Sequence, residues 1–445
     1  MSRYHADVAW LSAAAGLARG GVLIEIIDGR ISAVTTGVGP APPDAEHLPG
    51  LVVPGLANVH SHAFHRALRG RTQAGKGTFW TWRERMYALA GRLTPDSYQA
   101  LARATFAEMA LAGISCVGEF HYLHHDPQGR RYDDPNAMGH AVVAAAREAG
   151  VRLTLLDTLY LTSGVDAAPL TGPQLRFGDG DVDGWRARLE KMHIDGEVRL
   201  GAAVHSVRAV PAESLGAIGA LGLDGPLHFH LSEQRAENAA CLATHGCSPT
   251  ELLHSSGLLG PRSVAVHATH LSDVDRALLG DTDTAVCLCP TTERDLADGI
   301  GPARALVDAG SPLSLGSDSN AVIDLFEEAR AVELDERLRS ERRGHFSTTE
   351  LLHAATAAGH AALGWTDAGR IEPRARADLV AVRLDSVRGA GHDPADPAAA
   401  VVFAANAADV SDVIVDGRRV VADGRHLLVD DVASALHDAI GAVWS

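Results

Sequence analysis

Eight short apolar runs alternate with helical patterns between about Leu51 and Leu363: "LVVPGLANVH", "ISCVGEF", "VRLTLLDTLY", "VRLGAAVH", "PLHFHLS", "SVAVHAT", "TAVCLCP" and "PLSLGSD". Alternation of this kind implies parallel strands joined by crossover helices, and eight such units fit a closed (β/α)8 barrel. A doubly wound open sheet is the competing architecture. Between the first two runs, "LTPDSYQALARATFAEMALAG" reads as one helix. Thr94 is placed to cap it, Pro95 suits the first helical position, and Gly113 can end it.

The two ends of the chain have a different texture. "GVLIEIIDGRISAV" sets β-branched residues around an Asp-Gly turn, and "ADLVAVRLD" with "DVIVDGRRVVADG" repeats the pattern near the far end. An Asp-Gly pair flanked by apolar residues is the strongest short-range signal for a β-hairpin. We therefore expect one small β domain assembled from both termini, residues 1–53 and 367–445, the latter including a terminal helix. The barrel, residues 54–366, is inserted between them. A chain of 445 residues is long enough for this division, given a usual ~100–200 residues per domain.

Composition narrows the partners. The formal net charge of −17 repels polyanions, so neither nucleic acid nor an acidic membrane is expected as a general partner. A small anionic substrate stays compatible if arginines focus charge locally. The five cysteines, Cys116, Cys241, Cys247, Cys287 and Cys289, follow no zinc-finger or redox spacing and read as free thiols of a reducing compartment. The opening "MSRYHADVAWLSAAAGLARGG" is broken by Asp, Arg and Gly, unlike a signal peptide or a spanning helix. The cytoplasm is the expected location.

In a barrel of this kind chemistry comes from the C-terminal ends of several strands. Polar residues gather there. His60 and His62 close the first run, His205 follows the fourth, His228, His230 and Glu233 mark the fifth, His267 ends the sixth, and Asp318 ends the eighth. Two histidines separated by one residue project to the same side of an extended chain. With His230 they offer three imidazole nitrogens, and Asp318 is expected to add an oxygen from the opposite side of the barrel mouth. Three imidazoles, one carboxylate and a water make an open zinc site. The fourth run contains no lysine to bridge a second ion, so one metal is expected. His228 reads as a core histidine beneath it. His121, His124 and His125 lack an evident carboxylate for a second metal site.

These residues carry a resemblance. His60-x-His62, "HLSE" with His230 and Glu233, His267, and "LGSDS" with Asp318 resemble the mononuclear deaminase branch of the amidohydrolase superfamily. More narrowly, "HSHAFHRALRG", "FWTWRERMY", "GEFHYLHH", "HSVRAV" and "FHLSEQ" are similar to the formimidoylglutamate deiminase family of bacterial histidine degradation. The resemblance implies a barrel combined with a β-sandwich, one zinc ion per subunit, and a homodimer. It also implies hydrolysis of N-formimino-L-glutamate to N-formyl-L-glutamate and ammonia.

Under that resemblance His60, His62, His230 and Asp318 hold the metal, and Asp318 also takes the proton of the attacking water. His267 hydrogen-bonds the developing oxygen. Glu233 decides the products, since a proton delivered to the terminal nitrogen releases ammonia, and one delivered to the glutamate nitrogen would release formamide. Arg208, in "HSVR", resembles one of the pair of groups that bind the substrate carboxylates, for which a guanidinium is well suited. Arg83, Tyr122 and His205 join it as substrate-binding residues. Better-known members often carry glutamine where this chain has His65, whose charge is expected to vary near neutral pH and so weaken substrate affinity as pH rises. A related deaminase acting on a guanidine, purine or triazine is the alternative activity, and a non-catalytic binding barrel a more distant one.

Overall fold

The computed structural model describes all residues except 75, 195, 197 and 223, and among the described residues sixteen strands form two sheets of eight. The chain begins with β1 (Ser2–Ala9), β2 (Arg19–Ile27), β3 (Arg30–Thr35) and β4 (Glu46–Pro54). Asp28 and Gly29, with φ of 48° and 74°, turn β2 into β3, the doubly left-handed geometry that Asp-Gly supplies at little cost.

The second sheet is the barrel. Its strands are β5 (Leu56–Ser61), β6 (Ile114–His121), β7 (Arg152–Leu159), β8 (Val198–Val204), β9 (Leu227–Leu231), β10 (Ser263–His267), β11 (Ala285–Leu288) and β12 (Leu313–Leu315). Each pairs in parallel with the next. Beyond β12 a parallel bridge between Ser61 and Asp318 closes the ring, so the open-sheet alternative does not apply. The helix Pro95–Leu111 begins as expected: Thr94 and Ser97 form a capping box, and Gly113 just beyond its end has φ of 86°.

After the barrel come β13 (Leu379–Val382), β14 (Val410–Val415), β15 (Arg418–Ala422) and β16 (Arg425–His426). β13 pairs antiparallel with β4, which unites the two ends of the chain in one sheet. The last helix, Val432–Trp444, packs on Pro95–Leu111, and its Trp444 indole donates to the carbonyl of Ala67, at 3.0 Å, in the segment that follows His62.

The run "LVVPGLANVH" is not one strand. Leu51–Pro54 belongs to β4 of the terminal sheet, and the barrel starts only at Leu56. Gly55 makes the break. A Cβ there would lie 2.3 Å from the Ser115 hydroxyl and 2.7 Å from the Asp378 Cβ, while its N–H donates to Asp378. Both halves are apolar because both are buried, so hydropathy alone does not mark the junction.

The barrel floor is sealed by an apolar cluster in which Leu363 and Trp365 meet Val59, Val264, Val266 and Cys287. His228 sits above this floor and donates through Nε2 to the Ala362 carbonyl, as a core histidine should. All five cysteines are free thiols, only Cys247 being partly exposed. Among the described residues no helix is long and apolar enough to cross a membrane.

Candidate active site

His60 is the next-to-last residue of β5 and His62 follows its end, both buried. Backbone carbonyls set the tautomers of His62 and His230. His62 donates through Nδ1 to the Phe120 carbonyl at 2.9 Å, and His230 through Nδ1 to the His205 carbonyl at 2.8 Å. A carbonyl only accepts, so each ring keeps a bare Nε2 lone pair aimed inward. The Nε2 atoms of His230 and His60 face each other at 3.1 Å, and Asp318 Oδ1 lies 3.3 Å from His60 Nε2 and 3.4 Å from His62 Nε2.

A bare His230 Nε2 at that distance from His60 Nε2 requires a proton or a cation between them, and the buried His60 Nδ1 has no hydrogen-bond partner. Zinc bonds of about 2.0–2.1 Å at tetrahedral angles separate ligand atoms by about 3.3–3.4 Å. The donor set therefore fits such an ion. Burial keeps the rings neutral, pulling His60 down to about 3 and lowering His62 and His230. Burial works against ionisation of Asp318, yet its hydrogen bond with His60 and the neighbouring rings hold it well below the usual carboxylate range.

Asp318 is not across the mouth from His60 and His62. Its N–H donates to the His60 carbonyl at 2.9 Å, and its carbonyl accepts from the His62 N–H at 3.0 Å. In a closed barrel the eighth strand is the neighbour of the first, which a linear reading of strand order obscures. Left-handed backbone also gathers here: Ser232, His267, Asp318 and Asn320 have φ of 50°, 69°, 40° and 55°. Strain of this kind persists only where the surroundings impose it.

His267 closes the constellation from β10. Donor atoms of His60, His230, His267 and Asp318 all lie within 4.8 Å of one another, and a second overlapping group joins His62 and His65 to Asp318. His267 differs from the others in its partners. Nδ1 meets Glu293 Oε1 at 3.3 Å, and Nε2 faces Asp318 Oδ2 at 3.9 Å and Glu233 Oε1 at 4.0 Å. Burial opposes its charge, but the Glu293 hydrogen bond and the three carboxylates push it up to about 10.

Glu233, beyond β9, does not stand alone. Its Oε2 accepts from Arg208 Nη2 at 2.9 Å, and Arg208 Nε lies 3.1 Å from Glu237 Oε2. Glu237 and Glu293 escaped the sequence reading. Glu237 sits four residues past Glu233 on the helix Arg235–His245, away from the strand ends that were searched. Glu293 follows the seventh run, where the strand-end rule was applicable but went unused. Glu119 was also overlooked, although it is the one charged residue in "ISCVGEF". Its Oε1 accepts from the Ala63 N–H at 2.6 Å, holding the turn after His62, and burial pushes it up to about 8.

A cleft with about 620 Å³ of open space lies over these groups, lined by His65, Trp82, Arg83, Tyr122, His205 and Arg208 among others. Its outer wall is the helix Phe79–Ala90. Arg83 stacks on Trp80 at 4.4 Å and near Tyr87 at 5.5 Å. His65 Nε2 meets the Tyr122 hydroxyl at 3.0 Å, its ring packs edge-on to Trp82, and its Nδ1 has no hydrogen-bond partner. The expectation of a charge that varies near pH 7 fails. Burial first, and His62 second, hold His65 well below its ordinary value, so it is neutral there. His205 is likewise lowered, by burial and by Arg208.

The cluster at His121 and His124 does have a carboxylate, contrary to the sequence reading: donor atoms of both lie within 4.8 Å of Asp157. That carboxylate is already engaged by Arg188, at 2.7 and 2.8 Å, and by the Trp185 indole at 2.9 Å. It is a structural network.

Comparison with known proteins adds an independent view. The profile of the amidohydrolase family matches residues 51–420. A formimidoylglutamate deiminase of Pseudomonas aeruginosa is 36% identical over 418 residues, covering 89% of this chain and 90% of that protein. An 8-oxoguanine deaminase of the same organism is 31% identical over 428 residues, covering 92% and 90%. The crystal structure of an amidohydrolase from Brucella melitensis superposes with a TM-score of 0.90 at 34% identity, over 100% of both chains.

Proposed function

The chain belongs to the amidohydrolase family and is a hydrolase of C–N bonds, and from that premise we propose that it converts N-formimino-L-glutamate and water to N-formyl-L-glutamate and ammonia. One observation carries the choice of substrate: two cationic side chains, Arg83 and Arg208, line the cleft that holds Glu233, His267 and Asp318. Guanidinium groups at two points of a cleft suit a molecule with two carboxylates and leave a neutral purine without counterparts. The similarity to the Pseudomonas deiminase supports the same reading, as the similarity to the 8-oxoguanine enzyme supports only the broader class.

His60, His62, His230 and Asp318 would hold zinc in this proposal. When bound, zinc lowers the pKa of water toward ~7 and so supplies a nucleophile at neutral pH. The side chains perform the remaining steps. Asp318 accepts the proton of the attacking water. His267, protonated at Nδ1 and Nε2, donates from Nε2 to the oxygen that develops as the formimino carbon becomes tetrahedral. Glu233 passes to the terminal nitrogen a proton that the attacking water has released, and the bond of that nitrogen to carbon breaks to release ammonia. Arg83 and Arg208 hold the two carboxylates, and His65, Tyr122 and His205 border the amidine. The same reading carries a cytoplasmic homodimer acting in histidine degradation.

The test is ammonia release by zinc-loaded protein from N-formimino-L-glutamate, with the product identified by mass and Glu233→Ala as control. Formylglutamate with ammonia, lost in the control, is expected. Formamide as product, or turnover of 8-oxoguanine with none of formiminoglutamate, would overturn the proposal.

A further inference from the structure

We propose that Arg208 is shared between a fixed anchor, Glu237, and an exchangeable partner, Glu233, and that a substrate carboxylate displaces Glu233 from Arg208 and so frees it to face the reacting nitrogen. This rests on the reading above that the substrate is an anionic amidine. The proton-shuttling carboxylate is then withdrawn by the enzyme's own arginine and released by the substrate.

The asymmetry between the two acids is visible in their surroundings. The Glu237 side chain is fully enclosed, and its Oε1 accepts from the Ser232 N–H at 3.0 Å, pinning a residue with φ of 50° between His230 and Glu233. Glu237 cannot leave without unmaking that turn. Glu233 lines the cleft and has no such tie: one oxygen meets Arg208 at 2.9 Å, and the other is 4.0 Å from His267 Nε2. Arg208 is itself held in place, its guanidinium over the Phe79 ring at 5.4 Å and its Nε within 3.3 Å of the Ser206 hydroxyl.

Charge makes exchange a requirement. Two carboxylates on one guanidinium leave the trio with a net negative charge, so a third carboxylate is not welcome at Arg208 until one of the first two departs. Arg83 has no comparable obstacle, its described partners being aromatic rings. One end of a dicarboxylate therefore binds without displacement at Arg83, and the other unlocks Glu233 at Arg208. Binding energy from a remote group is converted into turnover, which amidines and purines without carboxylates cannot supply.

Two measurements on the zinc-loaded full chain test this. In a crystal structure with glutarate, we expect a glutarate carboxylate on Arg208, the Glu233 contact broken and the Glu237 contact kept. Glutarate seated elsewhere, or on Arg208 with Glu233 still bound, overturns the exchange. In kinetics with N-propylformamidine, which carries the amidine but no carboxylate, added propionate is expected to raise kcat at least about tenfold. An unchanged or reduced kcat overturns it. Glu237→Gln, which keeps an acceptor for the Ser232 N–H but removes one of the two negative charges at Arg208, should lower KM for formiminoglutamate about tenfold, and a raised KM overturns the charge argument. A fall in melting temperature with KM unchanged would make Glu237 merely structural. If formiminoglutamate is not turned over yet glutarate displaces Glu233, the substrate assignment fails and the exchange stands.

Discussion

Arg152 of β7 donates to both oxygens of Asp378, at 2.6 and 2.9 Å, across the seam between the barrel and the terminal sheet. Both side chains are buried, Asp416 adds a second carboxylate 2.6 Å from Arg152, and the guanidinium stacks on Trp365 at 5.0 Å. Burial alone would raise the Asp378 pKa, but Arg152 outweighs it and holds the acid below its ordinary value.

Asp378→Asn takes the two-oxygen partner from a buried guanidinium and leaves it Asp416 alone, so it is expected to lower unfolding free energy by about 1.5–3 kcal/mol at neutral pH. The sign of the pH effect follows from the lowered folded-state pKa. The contribution is fully present above the ~3.9 of an unfolded aspartate and is lost as pH falls through the folded value. Urea midpoints of the two proteins should differ most at about pH 7 and draw together as pH falls below about 4. A difference that persists in acid would mean that the charge of Asp378 is not what joins the two units.

Most of the site was legible because a barrel turns position in sequence into position in space. His60, His62, His205, His230, His267 and Asp318 all stand at or just beyond strand ends, where catalytic groups of this architecture gather. What escaped did so for specific physical reasons. Glu237 reaches Arg208 from a helix, and no periodicity of the strands points to it. The adjacency of Asp318 to His60 depends on ring closure, a long-range event with no local trace. The division of "LVVPGLANVH" at Gly55 depends on crowding by Ser115 and Asp378, distant in sequence. The His65 charge was misjudged because burial, not residue type, decides it.

That last correction yields a prediction. A His65 held neutral by burial cannot switch charge between about pH 6.5 and 8.5, well above its folded pKa. The KM for formiminoglutamate should then have the same pH dependence in His65→Gln as in the unaltered protein across that range. A KM that rises with pH in the unaltered protein and is flat in the variant would restore the charged histidine and contradict its enclosed position.

Metal removal is expected to affect both activity and the fold. An ion bound by His60, His62, His230 and Asp318 in the native state alone stabilises it by about 2.7 kcal/mol when free metal is a hundredfold above its Kd. Dialysis against a chelator should abolish ammonia release and lower the melting temperature, and zinc should restore both. Recovery of stability without activity would place the bound ion elsewhere.

Glu293 gives the sharpest test of the chemistry assigned to His267. Its Oε1 accepts from the Cys289 N–H at 2.9 Å and meets His267 Nδ1 at 3.3 Å, so it both fixes the ring and favours its protonated form. Glutamine at this position can still accept from Cys289 but brings no charge. Loss of a group that orients a site histidine typically costs 10–100-fold, and Glu293→Gln should lower kcat by about that factor. Because His267 is pushed up chiefly by that hydrogen bond against burial, its pKa falls in the variant and its protonated fraction drops first on the alkaline side. The decline of kcat with rising pH should therefore begin at lower pH in Glu293→Gln than in the parent. Metal content, measured on the same samples, should be unchanged. A kcat within about twofold of the parent, with the alkaline limb unmoved, would mean that His267 acts without a proton on both nitrogens, and the oxygen that develops in the reaction would need another donor.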